Sequence, residues 1–390
     1  MLGDFLSMAF KKNPLIYLVA GEASGDLLGS RLMARLLALY PEARFMGIGG
    51  TRMCAQGMKS LFPMEELSLM GLAEVLPHAR RLLGRIQEVA KDIEAQKPDV
   101  LVTIDAPGFN FRLAKKVRAF SKPPAMIHYT APTVWAWRPG RAEKIAHLFD
   151  HLLTLFPFEP SYFTPHGLKT TFVGHPLVED ERLKNPAFDF RAKHGIDARA
   201  PLLMLLPGSR LGEITRHGPL FMKAVRQLQE KVPGLQVVCP TLPGLEKTLR
   251  GLAPSSIPIH FVSEEDEKYA AMWAADAALA ASGTVTLELA LTNTPMVVAY
   301  KVNWFTAFLL GFLMKTPFVS LVNILEGREI VSERLQKGAT PTLLAQDLAA
   351  LLGAMGTRQR AELKKIQPHL MTGKDTDPSL AAAQVVAHYF

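Results

Sequence analysis

LIYLVAGEASGDLLGSRLMARLLAL, Leu15 to Leu39, carries the strongest structural signal in the chain. The first six residues, Leu15–Ala20, form an apolar run without polar alternation, as expected for a parallel strand covered on both faces. Gly21 and Gly25 punctuate the loop that follows, and from Leu28 to Leu39 the spacing is helical. Strand, glycine-containing loop and helix, in that order, make the first part of a βαβ unit.

The same pattern repeats along the chain. Apolar runs occur at Arg44–Ile48, Val100–Ile104, Ala125–Tyr129, His151–Phe156 and Thr171–Val173. It restarts at Leu202–Leu206 and continues at Leu235–Cys239, Ile259–Val262, Ala275–Ala280 and Met296–Tyr300. Between the halves, Glu179–Ala200 is polar and charged and contains Pro186, which reads as a linker. The expectation is an α/β protein with two Rossmann-like, doubly wound domains facing a central cleft. Residues 1–180 form the first domain and 181–354 the second. Residues 355–390 form terminal helices that pack back across the boundary. Ligands of such sheets bind at the carboxyl ends of the strands.

Composition narrows the partners. The 390 residues carry 44 basic and 36 acidic side chains, a net charge of +8, which suits an anionic partner. The basic residues are dispersed and form no arginine-rich tail, which argues against nucleic acid. The two cysteines, Cys54 and Cys239, lie far apart. Neither a disulfide framework nor a metal site is expected, and a cytoplasmic location fits. The first twelve residues lack the apolar core of a secretory signal. Trp304–Met314 is apolar but falls short of the roughly 20 residues needed to span a bilayer.

Several loops carry candidate chemistry. Gly21-Glu22-Ala23-Ser24-Gly25-Asp26 follows a strand and opens a helix, whose free N–H groups suit an anion. The spacing is not the dinucleotide fingerprint, and the glycines alone fit a tight turn equally well. In Ile104-Asp105-Ala106-Pro107-Gly108-Phe109-Asn110, Asp105 ends a strand, where a carboxylate can deprotonate a hydroxyl. The alternative is a carboxylate that only organises its own turn. Trp135, Trp137 and Arg138 follow another strand. Aromatic rings stack on sugars and arginine suits phosphate, although a packed loop anchored by the indoles explains Trp135 equally well.

In the second half, Gly208, Ser209 and Arg210 sit at a strand-to-helix turn suited to a diphosphate, with Glu213 able to pair with an arginine or a ribose. Ser282, Gly283 and Thr284 form a second such turn. Glu288, one helical turn on, is placed to accept both ribose hydroxyls. Helix capping is the plain alternative for each loop. Two loops plus a carboxylate at the right offset exceed what capping requires. There is no H-E-x-x-H site and no G-x-S-x-G elbow, so neither a metal centre nor a hydrolase triad is expected.

Taken in order, these motifs resemble the lipid A disaccharide synthases. They are VAGEASGD (Val19–Asp26), the stretch Met64–Leu76, IDAPGFN (Ile104–Asn110), VWAWR (Val134–Arg138), FPFE (Phe156–Glu159), GHP (Gly174–Pro176), LLPGSR (Leu205–Arg210), ASGT with Glu288 (Ala281–Glu288) and Val319–Gln336. The resemblance covers the chain from about Leu15 onward and implies a GT-B glycosyltransferase. It implies transfer of diacylglucosamine from a UDP carrier to the 6-hydroxyl of diacylglucosamine 1-phosphate, with inversion and without a cofactor. Asp105 is then the base. Gly208, Ser209, Arg210, Glu213, Ser282, Gly283, Thr284, Glu288, Asn323 and Gln336 bind the nucleotide sugar. Glu22, Ser24, Gly25, Asp26, Asn110 and Arg138 line the acceptor side. One position departs from the family pattern: Gly108 stands where a second aspartate is common.

Competing readings are another GT-B enzyme, a UDP-sugar epimerase, and a non-catalytic membrane scaffold. Fold alone does not choose among them. Acylated substrates call for access to a lipid surface. Leu69, Leu72 and Leu76, with Leu83 and the basic Arg80, Arg81 and Arg85 nearby, give an apolar face with a basic rim, and Trp304–Met314 gives a second, between Lys301 and Lys315. Ordinary core-facing helices show the same stripes. The expectation is peripheral association with an anionic inner-membrane surface, with homodimerisation open.

Overall fold

The computed structural model describes residues 13–68, 75–135, 140–253, 257–302, 316–373 and 377–390, with side chains of the helix Val75–Gln96 described from residue 80 onward. Leu69, Leu72, the Leu76 side chain, Arg138 and Trp304–Met314 lie outside the described residues. The chain divides into two compact units, Met1–Pro176 with Leu370–Phe390, and Leu177–His369.

The first unit holds seven strands: β1 (Leu15–Ala20), β2 (Arg44–Ile48), β3 (Lys59–Ser60), β4 (Val100–Ile104), β5 (Ala125–Tyr129), β6 (His151–Thr154) and β7 (Lys169–Phe172). All pair in parallel, in the order β3-β2-β1-β4-β5-β6-β7. The second unit holds β8 (Leu202–Leu206), β9 (Gln236–Pro240), β10 (Ile259–Val262), β11 (Ala277–Ala280), β12 (Met296–Tyr300) and β13 (Ser332–Leu335). These are parallel in the order β10-β9-β8-β11-β12-β13.

Each sheet therefore grows first to one side of its opening strand and then to the other. The reversal leaves a crevice at the carboxyl ends of β1 and β4 in one unit, and of β8 and β11 in the other, because helices leave these neighbours on opposite faces. Register fixes the loops there: Ala20 pairs with Ile104, and Leu206 with Ala280. Every residue of β1, β4, β8 and β11 is buried, which is why these strands read as continuous apolar runs.

Two strands were not expected. β3 has only two residues, and β13 (SERL) is half-buried along its length with Arg334 paired to Asp347. The expected linker forms the short helices Glu181–Lys184 and Phe190–His194, each N-capped by an aspartate, and belongs to the second unit. The expected terminal block 355–390 divides. Its first part, with the helix Ala354–Leu363, stays in the second unit, and Leu370–Phe390 returns to the first. There the helix Pro378–Ala387 buries Ala382, Ala383 and Val386 in the first unit's core, and Asp377 pairs with Arg35.

Candidate active site

In the first unit, the turn after β4 is strained. Asp105 and Ala106 both take left-handed backbone, φ 51° and 45°. Non-glycine residues in that region cost about 1–3 kcal/mol each and concentrate at functional sites. Asn110, fully buried on the next helix turn, holds the conformation: its Nδ2 donates to the carbonyls of Asp105 at 2.7 Å and Ile104 at 3.2 Å. Pro107 then opens the helix Pro107–Arg118. The result lifts the half-buried Asp105 carboxylate at the β1/β4 switch point, where Ser24 Oγ donates to its Oδ2 at 3.3 Å. The loop after β1 comes close: a Cβ on Gly21 would lie 2.6 Å from the Cβ of Ala106.

Not every expected acceptor residue serves this crevice. Asp26 is buried, and its carboxylate accepts N–H from Gly50, Arg52 and Met53 at 2.8, 3.0 and 3.0 Å. It anchors the loop after β2 and the helix Thr51–Ala55 instead. Asn110 is likewise a turn clamp, not a ligand contact. Gly25 packs against β1 and β4, where a Cβ would meet Ala20 at 3.3 Å and the Ile104 carbonyl at 3.5 Å. Glu22 is exposed beside Ser24 at the start of the helix Ala23–Leu39. Gly108 is exposed, and a Cβ added there would meet no atom within 4 Å, so nothing in its packing forbids the family's aspartate. Trp135 anchors its loop as the packing alternative required: its Nε1 donates to Glu159 at 3.4 Å. Glu159 also accepts N–H from Leu155 and Phe156, both at 3.0 Å, and burial pushes its carboxyl up to about 7.

In the stretch expected to meet lipid, Arg80 and Arg81 are exposed, as is Leu83. Arg81 and Arg85 both pair with Glu66, at 3.0 and 2.8 Å, so the basic rim is partly neutralised.

The second unit carries a cavity of about 430 Å³ at the carboxyl ends of β8–β11. It is lined by Gly208–Arg210 and Glu213 after β8 and by Ser282–Thr284 and Glu288 after β11. Gly208 has φ 128°, and a Cβ there would lie 2.5 Å from that of Glu213. Glu213 Oε2 accepts N–H from Ser209 at 3.0 Å and Arg210 at 3.4 Å. Glu213 thus braces its own loop and pairs with Arg210 at 3.4 Å, the arginine alternative and not the ribose one. Arg210 remains 83% exposed at the cavity rim despite that pairing. Ser282 Oγ is taken by the Val319 carbonyl at 2.7 Å, while Gly283 and Thr284 are exposed and Gly283 faces open space. The Glu288 carboxylate meets Lys268 Nζ at 2.5 Å and the Tyr269 hydroxyl at 3.4 Å.

Asn323 is also corrected. It is buried and fully used: Oδ1 accepts from Ile330 and Val331, and Nδ2 donates to Val331 and Glu333. It ties the loop before β13 together. Gln336 follows β13 with φ 48° and does not line the cavity. Conversely, Thr241, Ser263, Glu264 and Lys268 line the cavity without having been singled out. Thr241 and Ser263 directly follow β9 and β10, so strand-end position alone was the available signal. No cluster of three or more His, Cys, Asp or Glu suited to a metal occurs among the described residues.

This chain resembles several solved structures over almost its whole length. They include the S. aureus MnaA–UDP co-structure (TM-score 0.63, 14% identity, 96% of this chain and 95% of that one) and the calicheamicin glycosyltransferase CalG4 (TM-score 0.60, 14% identity, 97% and 98%). At such identity the likeness shows the fold, GT-B, and no more. Sequence relatives go further. The lipid-A-disaccharide synthase of Rhodospirillum centenum is 45% identical over 95% of this chain and 94% of its own length. That of Gluconobacter oxydans is 44% identical over 95% and 90%. The family described as lipid-A-disaccharide synthetase matches residues 16–386. With relatives this similar over almost its full length, the chain belongs to the lipid-A-disaccharide synthetase family, glycosyltransferases of lipid A biosynthesis.

Proposed function

We propose that the protein transfers 2,3-diacylglucosamine from its UDP carrier to the 6-hydroxyl of 2,3-diacylglucosamine 1-phosphate in one inverting step. The acceptor oxygen bonds to the anomeric carbon as the bond from that carbon to the diphosphate oxygen breaks. UDP leaves with the electron pair, and the hydroxyl proton passes to Asp105. The observation that carries this reading is the Asp105 carboxylate, held at the β1/β4 switch point in left-handed backbone by Asn110. Strain of this kind places a general base without leaving it to loop motion.

UDP occupies the second unit's cavity in this reading. Arg210 and the Gly283–Thr284 turn meet the diphosphate, and Glu288 accepts from the ribose hydroxyls. Glu213 already uses the amides of Ser209 and Arg210, so the positive charge of Arg210, not those amides, carries most of the stabilisation of the leaving group. No metal takes part. The acylated substrates are met at an anionic inner-membrane surface, where the protein binds peripherally on the cytoplasmic side. No helix among the described residues is long and apolar enough to cross a membrane.

The test is direct. The protein is incubated with both acylated sugars in EDTA, and UDP and the β-1,6-linked disaccharide phosphate are measured. Stoichiometric appearance of both supports the reading. UDP without disaccharide, or activity that returns only with magnesium, overturns it.

A further inference from the structure

We infer that Lys268 is a positioning residue for Glu288, and that this pair gives the second unit's cavity its preference for a nucleotide with an intact ribose diol. The inference rests on the proposed reading of that cavity as the nucleotide site.

Lys268 and Tyr269 are neighbours on the helix Glu265–Ala274, and both reach Glu288 on the helix Val285–Leu291. The ammonium of Lys268 lies 2.5 Å from Oε2, and the Tyr269 hydroxyl donates to Oε1 at 3.4 Å. The carboxylate is therefore tied at both oxygens while it and Lys268 line the cavity. Tyr269 is itself braced: the guanidinium of Arg182 lies 4.6 Å from the centre of its ring, and Arg182 is fixed by Asp180 at 2.7 Å and Glu265 at 2.6 Å.

This arrangement differs from an ordinary surface ion pair. Glu288 is only 9% exposed, so most of its hydration is gone and a nearby cation offsets part of that loss. Oε1 accepts one hydrogen bond, from Tyr269, and Oε2 meets Lys268 as an ion pair only, so the carboxylate keeps acceptor capacity for a ligand. A vicinal diol supplies two donors to such a group. A 2′-deoxy sugar supplies one, and the acceptor left short is worth about tenfold to a hundredfold in affinity when it is charged. That contrast requires the carboxylate to be held. Without Lys268 it is free to turn toward water, and both nucleotides then bind alike.

A rival role for Lys268 is direct contact with the diphosphate, and a double-mutant cycle separates the two. UDP and 2′-deoxy-UDP are titrated calorimetrically into the full chain, its variants Lys268→Met, Lys268→Arg and Glu288→Gln, and the double variant Lys268→Met/Glu288→Gln. The expected results are a wild-type preference for UDP of about tenfold or more and a fall to roughly threefold or less in Lys268→Met. Lys268→Arg should recover most of the preference, and Lys268→Met should cost nothing further once Glu288→Gln is present. Lys268→Gln carries the same expectation as the methionine variant and replaces it if that variant does not fold. An unchanged preference without Lys268, no preference in the wild type, or fully additive losses in the double variant overturn the inference. Failure of the unaltered protein to bind UDP at all refutes the nucleotide reading itself.

Discussion

Asp105 was legible from its position: a carboxylate directly after an apolar run sits at a strand's carboxyl end, and the structure puts it at the switch point. Asp105→Asn keeps the size of the side chain and its contact with Ser24 but removes the base. Turnover should fall by about 10²–10⁴-fold with UDP affinity unchanged, as read by steady-state rates and calorimetry on the same sample. Turnover within a few-fold of wild type would remove Asp105 from the chemistry. Other polar residues were harder to read. Asp26, Asn110, Glu213 and Asn323 all stand in the first turns of helices beside motifs, and all direct hydrogen bonds to backbone groups nearby. Sequence shows that a donor or acceptor is present. Where its bonds go depends on which backbone groups the fold leaves unsatisfied. Lys268 was missed for a related reason: directly after the acidic run Glu264–Glu267, nothing marks it as the residue that reaches Glu288.

At the scale of elements, the strands of the sheet interiors were read nearly to the residue because burial on both faces leaves an unbroken apolar run. β3 and β13 were not, because an edge strand with a polar, half-buried face has no such run. The loops divide in the same way. Gly208 and Gly283 look alike in sequence, yet only Gly208 has left-handed backbone and a crowded Cβ position. Gly208→Ala should destabilise the protein by about 1–3 kcal/mol and weaken UDP binding as Glu213 is pushed aside. Gly283→Ala should leave the melting temperature within about 1 °C of wild type, because surface changes free of strain cost under about 0.5 kcal/mol. Equal melting temperatures for the two variants would show that the close approach of Gly208 and Glu213 is not part of the fold.

For the molecule as a whole, two properties follow. The first is acid sensitivity in the first unit. Burial holds His128 and His175 down to about 3, so both are neutral when folded and protonate near 6.5 once unfolded. Stability is then lost as pH falls below about 6.5, by roughly 1.4 kcal/mol per pH unit for each. Glu159 works in the opposite sense between about 7 and 4.5, because the folded state keeps a proton that the unfolded state gives up. His151, held down to about 4, acts in the same sense, and Glu159 offsets one of the three histidines, so the net slope should be on the order of 2.8 kcal/mol per unit down to pH 4.5 and steeper just below. Urea midpoints followed from pH 7 to 4 report this, and a flat profile would contradict it. The second is lipid contact. The protein should float with anionic liposomes at low salt, and the paired change Arg80→Glu and Leu83→Glu should cut the bound fraction roughly tenfold. A wild-type chain that stays wholly soluble rules the membrane surface out.

The return of Leu370–Phe390 to the first unit has a consequence for biosynthesis. When the ribosome has finished residue 369, both sheets are complete, yet the first unit's core, which includes Leu32 and Leu36, still lacks Ala382, Ala383 and Val386. The half of the protein made first is therefore finished last. A nascent chain that stalls or is clipped near its end leaves an apolar patch uncovered, a mark that chaperones and proteases recognise. A chain ending at residue 369 should accumulate poorly or aggregate, and a separately supplied peptide of residues 370–390 should restore its solubility. Chains lacking residues 370–390 should then contribute little activity.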